Sequence, residues 1–329
     1  MKGQSQTPLF RTPVDVGRPQ RSIGLEDRNV FLGSCFAEHV GRQFAQNCLP
    51  TLVNPLGVMY NPLSIARLLT TEASLRARDY IVYKDMWHTW LGDGELSRLT
   101  LDDCLRATDE ALTRLHEVLA VADNLFITLG TDHYYLYEGH GEPVANCHRL
   151  PAGQFAERRA SLDEMVARLG GALDVWHERN PRLRVVLTVS PYRYAKYGMH
   201  GSQLSKARLL LCADALCEAR AGWVEYFPSY EIVMDELRDY RFYAEDMLHP
   251  SDVAVQFIWQ RLAEAWMDDD VRQWLERWYP VRQALSHRPL HPESPEYAAF
   301  KQQTQTQVER LRHDYPTLEL KIELVTPNS

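Results

Sequence analysis

Two adjacent nucleophiles, Ser34 and Cys35, stand inside Gly33-Ser34-Cys35-Phe36. The apolar run before them reads as a strand and the pattern after them as a helix, so they fall on a strand-to-helix turn. Such a turn exposes a side chain at the sheet edge. A helix N-terminus favours an anion, and the thiolate is the reactive form of a thiol. The plainer reading makes Ser34 an N-cap and Cys35 a small buried hydrophobe. A second group is Asp246 and His249, in Asp246-Met247-Leu248-His249-Pro250. That spacing lets the carboxylate hold one imidazole nitrogen while the other faces a nucleophile, the orienter-and-base logic of a triad. Taken alone, a surface Asp and His before a helix are common. A third group could supply oxyanion donors: backbone N–H groups at Gly57 and Gly130-Thr131, and side-chain amides of Asn54, Asn61 and Asn146. Two or three aligned donors stabilise a tetrahedral oxyanion, although Gly and Asn also simply make turns.

Other residues give weaker signals. Asn146-Cys147-His148 is a compact polar cluster that could line the site or pair thiol with imidazole. Cys147 and His148 have no second ligand pair at fitting spacing, so no metal site is expected. Arg193, Arg238 and Arg241 read as surface salt-bridging residues or as ligands for a phosphate or carboxylate on a substrate. The aromatics near 223–243 read as core.

The elements that must position these residues alternate along the chain. Asn29–Gly33 reads as a buried strand, and the helix after it carries Ala37, Gly41 and Ala45 at four-residue spacing. Small residues so spaced let a helix lie close on a sheet. A second strand lies in LPTLVNPLGVMYNP, followed by a short helix over Ser64–Leu69. Residues 75–100 read as a small β insertion, and Leu101–Leu119 as an amphipathic helix. Asn124–Gly130 is a strand run, followed by a hairpin through YYLYEGHGEPVANCHRLP. Ser161–Glu178 reads as a helix capped by Ser161, with Glu164 completing a capping box. Arg184–Pro191 and Trp223–Pro228 are strands with a helix between them over Leu204–Ala219. Glu231 begins a helical stretch, and Pro250-Ser251 open a further helix to about Met267. The tail from Asp268 reads as helical, with an extended run at Leu318–Val325.

Strands alternating with helices predict a three-layer α/β/α sandwich on a mainly parallel, flavodoxin-like sheet. Residues 1–27 read as an N-terminal arm, 28–267 as the catalytic domain, and 268–329 as an extension packed on it. In such sheets the site lies beyond the C-terminal strand ends, where the turns carrying Cys35, Gly57, Gly130 and Arg193 fall.

With 329 residues, 45% of them hydrophobic, the chain can bury a large core without disulfides. A net charge of -8 argues against a nucleic-acid partner. The six cysteines form no CxxC pair, which speaks against a zinc ribbon, and free thiols fit a reducing cytoplasm. No apolar leader segment is visible near the first residue, and no run approaches the roughly 20 apolar residues of a membrane helix.

At GSCFAEHVG the chain resembles the GSCFA family, which is grouped with the SGNH hydrolases. The resemblance continues through Val53–Ala66, Ile127–Thr131, Val144–Pro151, Leu187–Arg193, Leu204–Leu211 and Tyr226–Ser251. It covers about residues 28–265, with HRPLHPES (His287–Ser294) also family-like. The superfamily's first block resembles Gly33-Ser34-Cys35 with Glu38, a register that puts Cys35 at the nucleophile position. Its second-block glycine resembles Gly57, and its final DxxH resembles Asp246 and His249. The third block departs. Where the superfamily carries an oxyanion asparagine, this chain has Gly130-Thr131-Asp132-His133. An ionised Asp132 would repel an oxyanion, so Asn146 is the expected replacement. Tyr194 stands where the family places a histidine. These departures point to an altered pocket or weakened chemistry.

The resemblance implies esterase or O-acyltransferase chemistry through an acyl-enzyme on Cys35, with His249 as base and Asp246 as its orienter. Ser34 is the alternative nucleophile. Backbone N–H groups at Cys35 and Gly57 would hold the oxyanion, while His148 and Arg193 would line the substrate site. No resident cofactor is expected, though acyl-CoA or another thioester fits as co-substrate. The acceptor would be water, a small molecule, a glycan or a peptide, and the family's link to polysaccharide biosynthesis leans towards transfer. A homo-oligomer stays open. Two rivals remain: a non-catalytic acyl- or glycan-binding protein on the same scaffold, and a metal-dependent hydrolase.

Overall fold

The computed structural model describes residues 11–72 and 77–320. The central sheet begins with β1 (Asn29–Gly33), which leads directly into α1 (Cys35–Gln46). β2 (Thr51–Val53) follows, then α2 (Pro62–Thr70), opened by the Asn61 cap. The aromatic insertion is an antiparallel hairpin of β3 (Tyr80–Tyr83) and β4 (Met86–Thr89). α3 (Leu101–Leu119) returns the chain to β5 (Asn124–Leu129). Next comes a small antiparallel sheet of β6 (His133–Tyr137), β7 (Pro143–Val144) and β8 (Phe155–Arg159). α4 (Leu162–Arg179), β9 (Arg184–Val189), α5 (Gly198–Ala219) and β10 (Val224–Tyr226) complete the alternation. The chain then makes α6 (Ser229–Glu231), a π-helical turn at Ile232–Glu236, α7 (Asp252–Trp266), α8 (Asp269–Ser286) and α9 (Pro295–Asp314).

The five long-range strands pair in the order β10-β9-β5-β1-β2, all parallel. This is the flavodoxin order, and its switch point lies between β1 and β5. Alternation along each strand sends side chains to two cores. Phe31, Phe126 and Val186 face α1, α7 and the tail. Val30, Leu32, Leu125, Ile127, Val185 and Leu187 face α2, α4 and α5. Phe31 and Phe126 stack at 4.5 Å, and Phe44 meets Trp259 edge-on at 5.2 Å. Such rings add roughly 0.5–1.5 kcal/mol per pair beyond their buried area. α1 sits close because a Cβ at Gly41 would fall 2.7 Å from Val53.

The tail and arm join the same core. Trp274 and Trp278 donate their indole N–H groups to the Asn47 and Gln46 carbonyls at 2.7 and 2.9 Å. Ile23 in the arm exchanges backbone hydrogen bonds with Trp266 and Asp268. The elements differ from expectation in two places. α5 begins at Gly198 rather than Leu204, because Gly198 and Gly201 weaken the helical signal of its first turn. β8 adds a third strand beside the expected hairpin. The extended run expected at Leu318–Val325 falls mostly outside the described residues.

Candidate active site

Gly33 ends β1 at φ +130°, and a Cβ there would meet the Thr128 carbonyl oxygen at 2.3 Å. Only glycine lets the chain leave the sheet pressed against β5 in this way. Ser34 then caps α1: its Oγ accepts from the Phe36 N–H at 3.3 Å, and the residue is 3% exposed. Cys35 is the first residue of α1 and is half-buried. Its Sγ lies 3.5 Å from the Tyr60 hydroxyl. Its backbone N–H has no hydrogen-bond partner among the described residues.

A cavity of about 640 Å³ opens above this turn, well inside the ~300–1,000 Å³ range of small-molecule sites. Cys35 and Ser34 form its floor, Tyr60 enters from the loop after β2, and Ser190, Tyr192 and Tyr194 enter from the loop after β9. His249 and its neighbours Ala244, Glu245 and Pro250 supply the far wall, with His39 and Val255 from α1 and α7. The structure therefore brings Cys35, Ser34 and His249 to one cavity at the switch point.

Asp246 and His249 form a closed unit in a tight turn. Asp246 Oδ1 accepts from the Leu248 and His249 N–H groups at 2.9 Å each, and Oδ2 lies 2.5 Å from His249 Nδ1. The His249 and Leu248 hydrogen bonds hold the Asp246 carboxyl down at about 2. The carboxylate is thus an acceptor at neutral pH, so Nδ1 carries the proton of this hydrogen bond, and in that tautomer the lone pair lies on Nε2. Nε2 has no hydrogen-bond partner among the described residues. The turn places Met247 at φ +59°, a conformation costing roughly 1–2 kcal/mol outside glycine. It is pinned by Arg193 N–H donating to the Leu248 carbonyl at 3.1 Å. The His249 ring packs on Tyr192 at 4.2 Å. Among the described residues no hydrogen bond joins Cys35 to His249.

Tyrosines line this cavity, and the sequence reading does not single them out as donors. Burial first, and then the contact with Cys35, raise the Tyr60 phenol above its ordinary range. Burial also raises Tyr194 well above that range. Both therefore keep their protons and can donate. Two backbone bonds set Tyr60 in place, with the Gly130 and Thr131 N–H groups both donating to its carbonyl at 2.8 Å. Its place immediately before the Asn61 helix cap, past the end of β2, is the sequence signal that marks it. For Tyr192 and Tyr194 the signal is their alternation after Pro191 at the end of β9. Burial, then the charge of Arg42, lower His39 below the usual histidine range.

The other expected donors lie elsewhere. Gly57 N–H donates to the Asn54 carbonyl at 2.8 Å, closing a turn, and Gly57 lines a different cavity beside Asp93. Asn54 Oδ1 accepts from Gly33 N–H at 3.0 Å, and Asn61 Oδ1 from Ser64 N–H at 2.8 Å. Gly130 and Thr131 direct their N–H groups to Tyr60, as above, rather than into the cavity. Asn146 is not brought to the cavity either; its Oδ1 accepts from His148 N–H at 2.8 Å. His148 is buried, with Nε2 2.7 Å from the Thr89 carbonyl, and burial drives it down to about 4. Asp132 is fully buried and turned to Arg159 (2.9 Å) and Arg208 (2.7 Å). Burial pushes its carboxyl up, but hydrogen bonds from Ser205 and Arg208 and the charge of Arg159 hold it below the usual range. Its charge is thus matched away from the cavity, which removes the expected repulsion. Arg193 lines a separate cleft. Among the described residues no three His, Cys, Asp or Glu side chains are grouped to hold a metal ion, and no helix is long and apolar enough to cross a membrane.

The GSCFA family model matches residues 28–262, and the model of the GSCFA domain protein C-terminal domain matches residues 278–326. No curated protein matches the chain. Among solved structures, an acetyl xylan esterase from the rumen bacterium Butyrivibrio proteoclasticus is similar at 12% identity and a TM-score of 0.34, over 75% of this chain. The chain spans 64% of that esterase's length.

Proposed function

This chain belongs to the GSCFA family, and from that premise we propose that it processes acyl esters through a covalent intermediate on Cys35. His249 is the general base and Asp246 its orienter. The observation that supports this most is the meeting, in one cavity, of a half-buried thiol at a helix N-terminus and a carboxylate-held imidazole whose Nε2 has no hydrogen-bond partner among the described residues. In the forward step Nε2 takes the thiol proton while Sγ attacks the ester carbonyl. The carbonyl oxygen becomes an oxyanion, for which the Cys35 N–H and the Tyr60 and Tyr194 hydroxyls are the available donors. Collapse breaks the bond to the leaving alkoxide, which takes the proton from the imidazolium. Water or an acceptor alcohol, deprotonated by the same Nε2, then attacks the thioester and frees Cys35.

A cavity of about 640 Å³ exceeds what a short acyl group needs, which leaves room for an acceptor alcohol beside it. Donation from a thioester such as acyl-CoA suits a thiol nucleophile, because thioester exchange is nearly balanced. Ser34 also touches the cavity, but it caps α1 and is almost wholly buried; the reading therefore rests on Cys35. The test is steady-state release of p-nitrophenol from p-nitrophenyl acetate. Wild type is expected to turn over saturably, with kcat/KM falling by about 10³-fold or more in Cys35→Ala. Unchanged kcat/KM in Cys35→Ala would sink the proposal.

A further inference from the structure

Behind the catalytic cavity lies a second cleft of about 400 Å³. The two share a wall. Tyr192 and Tyr194 face the cavity while Arg193 between them faces the cleft, and likewise His249 faces the cavity while Met247 faces the cleft. The crest of this wall is the turn carrying Asp246, whose side chain and that of His249 are 43% and 46% exposed.

Arg193 is the unusual member. Its Nη1 lies 3.7 Å from Met234 Sδ and its Nη2 3.8 Å from Met199 Sδ, and thioether sulfur is a weak acceptor. Its Nε is buried with no hydrogen-bond partner among the described residues. The Tyr243 phenol also faces the guanidinium, and the one carboxylate among the described lining residues of the cleft, Asp239, is held by Arg241. Arg241 pairs with Asp239 at 2.8 Å, whereas among the described residues neither Arg193 nor Arg238 enters an ion pair. A planar anion would give the Arg193 guanidinium the paired hydrogen bonds that its thioether neighbours cannot. At the rim, Met199, Tyr240 and Met247 are 52%, 72% and 49% exposed, which leaves an apolar edge open to solvent.

We propose that this cleft binds an anionic group carried by the substrate, a carboxylate or a phosphate, on Arg193 and Arg238. The exposed methionine and tyrosine rim holds the apolar stem that joins this group to the ester across the crest. The inference rests on the ester-processing reading for its substrate, and its test is a binding measurement that needs no turnover. The full chain carrying Cys35→Ala is titrated calorimetrically with monomethyl adipate, with its neutral counterpart dimethyl adipate and with monobutyl phosphate. The expected result is at least about tenfold tighter binding of one of the anions than of the neutral diester, the tighter anion naming the group, and a loss of that preference in Arg193→Met. Arg193→Lys is the second variant, since Arg193→Met could perturb the loop; restored preference there supports recognition of charge. Equal affinity for all three probes, or a preference that survives in folded Arg193→Met, overturns the proposal. Failure of Cys35 chemistry would show in p-nitrophenol release and leave this comparison intact.

Discussion

In the turn before α7, Asp246 and His249 keep close to half of their side-chain surface exposed, and the Nε2 of His249 has no hydrogen-bond partner among the described residues. In the small β6–β8 sheet and its surroundings, Asp132 and His148 are of the same two residue types yet are fully or nearly buried. Two arginines surround Asp132, and the Thr89 carbonyl takes up His148. The residue types are equal and their remaining hydrogen-bonding capacity is not. A carboxylate matched by two guanidiniums, or an imidazole in contact with a carbonyl and pushed down to about 4, holds structure together. A pair that leaves one nitrogen facing a cavity beside a thiol can move a proton.

Substitutions can break or sharpen this contrast. The largest effect belongs to the turn: His249→Ala is expected to lower kcat/KM for p-nitrophenyl acetate by about 10²–10⁴-fold with little change in the unfolding midpoint. A loss of stability without a loss of turnover would reverse the contrast. His148 should instead report in the folding equilibrium. Its folded-state value lies below that of a free imidazole, so the unfolded chain binds the proton first on acidification. Its contribution to stability is full above about pH 6.5, declines by up to about 3 kcal/mol as the pH falls to about 4, and then levels off. Denaturant unfolding of wild type and His148→Asn across that window should show this portion of the acid-linked loss in wild type alone. Asp132→Asn leaves Arg159 and Arg208 without their carboxylate. With both guanidiniums partly open to solvent, it should cost about 2 kcal/mol of stability while kcat/KM of the folded protein stays within about threefold. The smallest effect is Tyr60→Phe, expected to slow turnover about tenfold through one lost hydrogen bond. No change would remove the phenol from the oxyanion site.

Much of the fold is legible in the sequence because its signals are local. Leu101–Leu119 forms a helix over the expected span, and Ser161 caps α4 by accepting from the Glu164 N–H. The turn at Gly33–Phe36 and the spacing of Asp246 and His249 are legible for the same reason. The oxyanion donors are not, because their use depends on partners far away in the chain. Gly130 and Thr131 N–H groups are taken by Tyr60, and Asp132 is neutralised by arginines 27 and 76 residues distant. Gly57 fails as a donor for a local reason that the turn hides: its N–H closes back on Asn54. Tyr194, legible only as a departure from the family pattern, becomes a candidate donor once burial and the cavity are seen together.

The central claim is that acyl groups pass through Cys35, and intact-mass measurement after brief exposure to p-nitrophenyl acetate or acetyl-CoA tests it most directly. The account predicts one acetyl adduct in wild type, kept in Ser34→Ala, absent in Cys35→Ala and formed more slowly in His249→Ala. An adduct that persists in Cys35→Ala and disappears only in Ser34→Ala would contradict it.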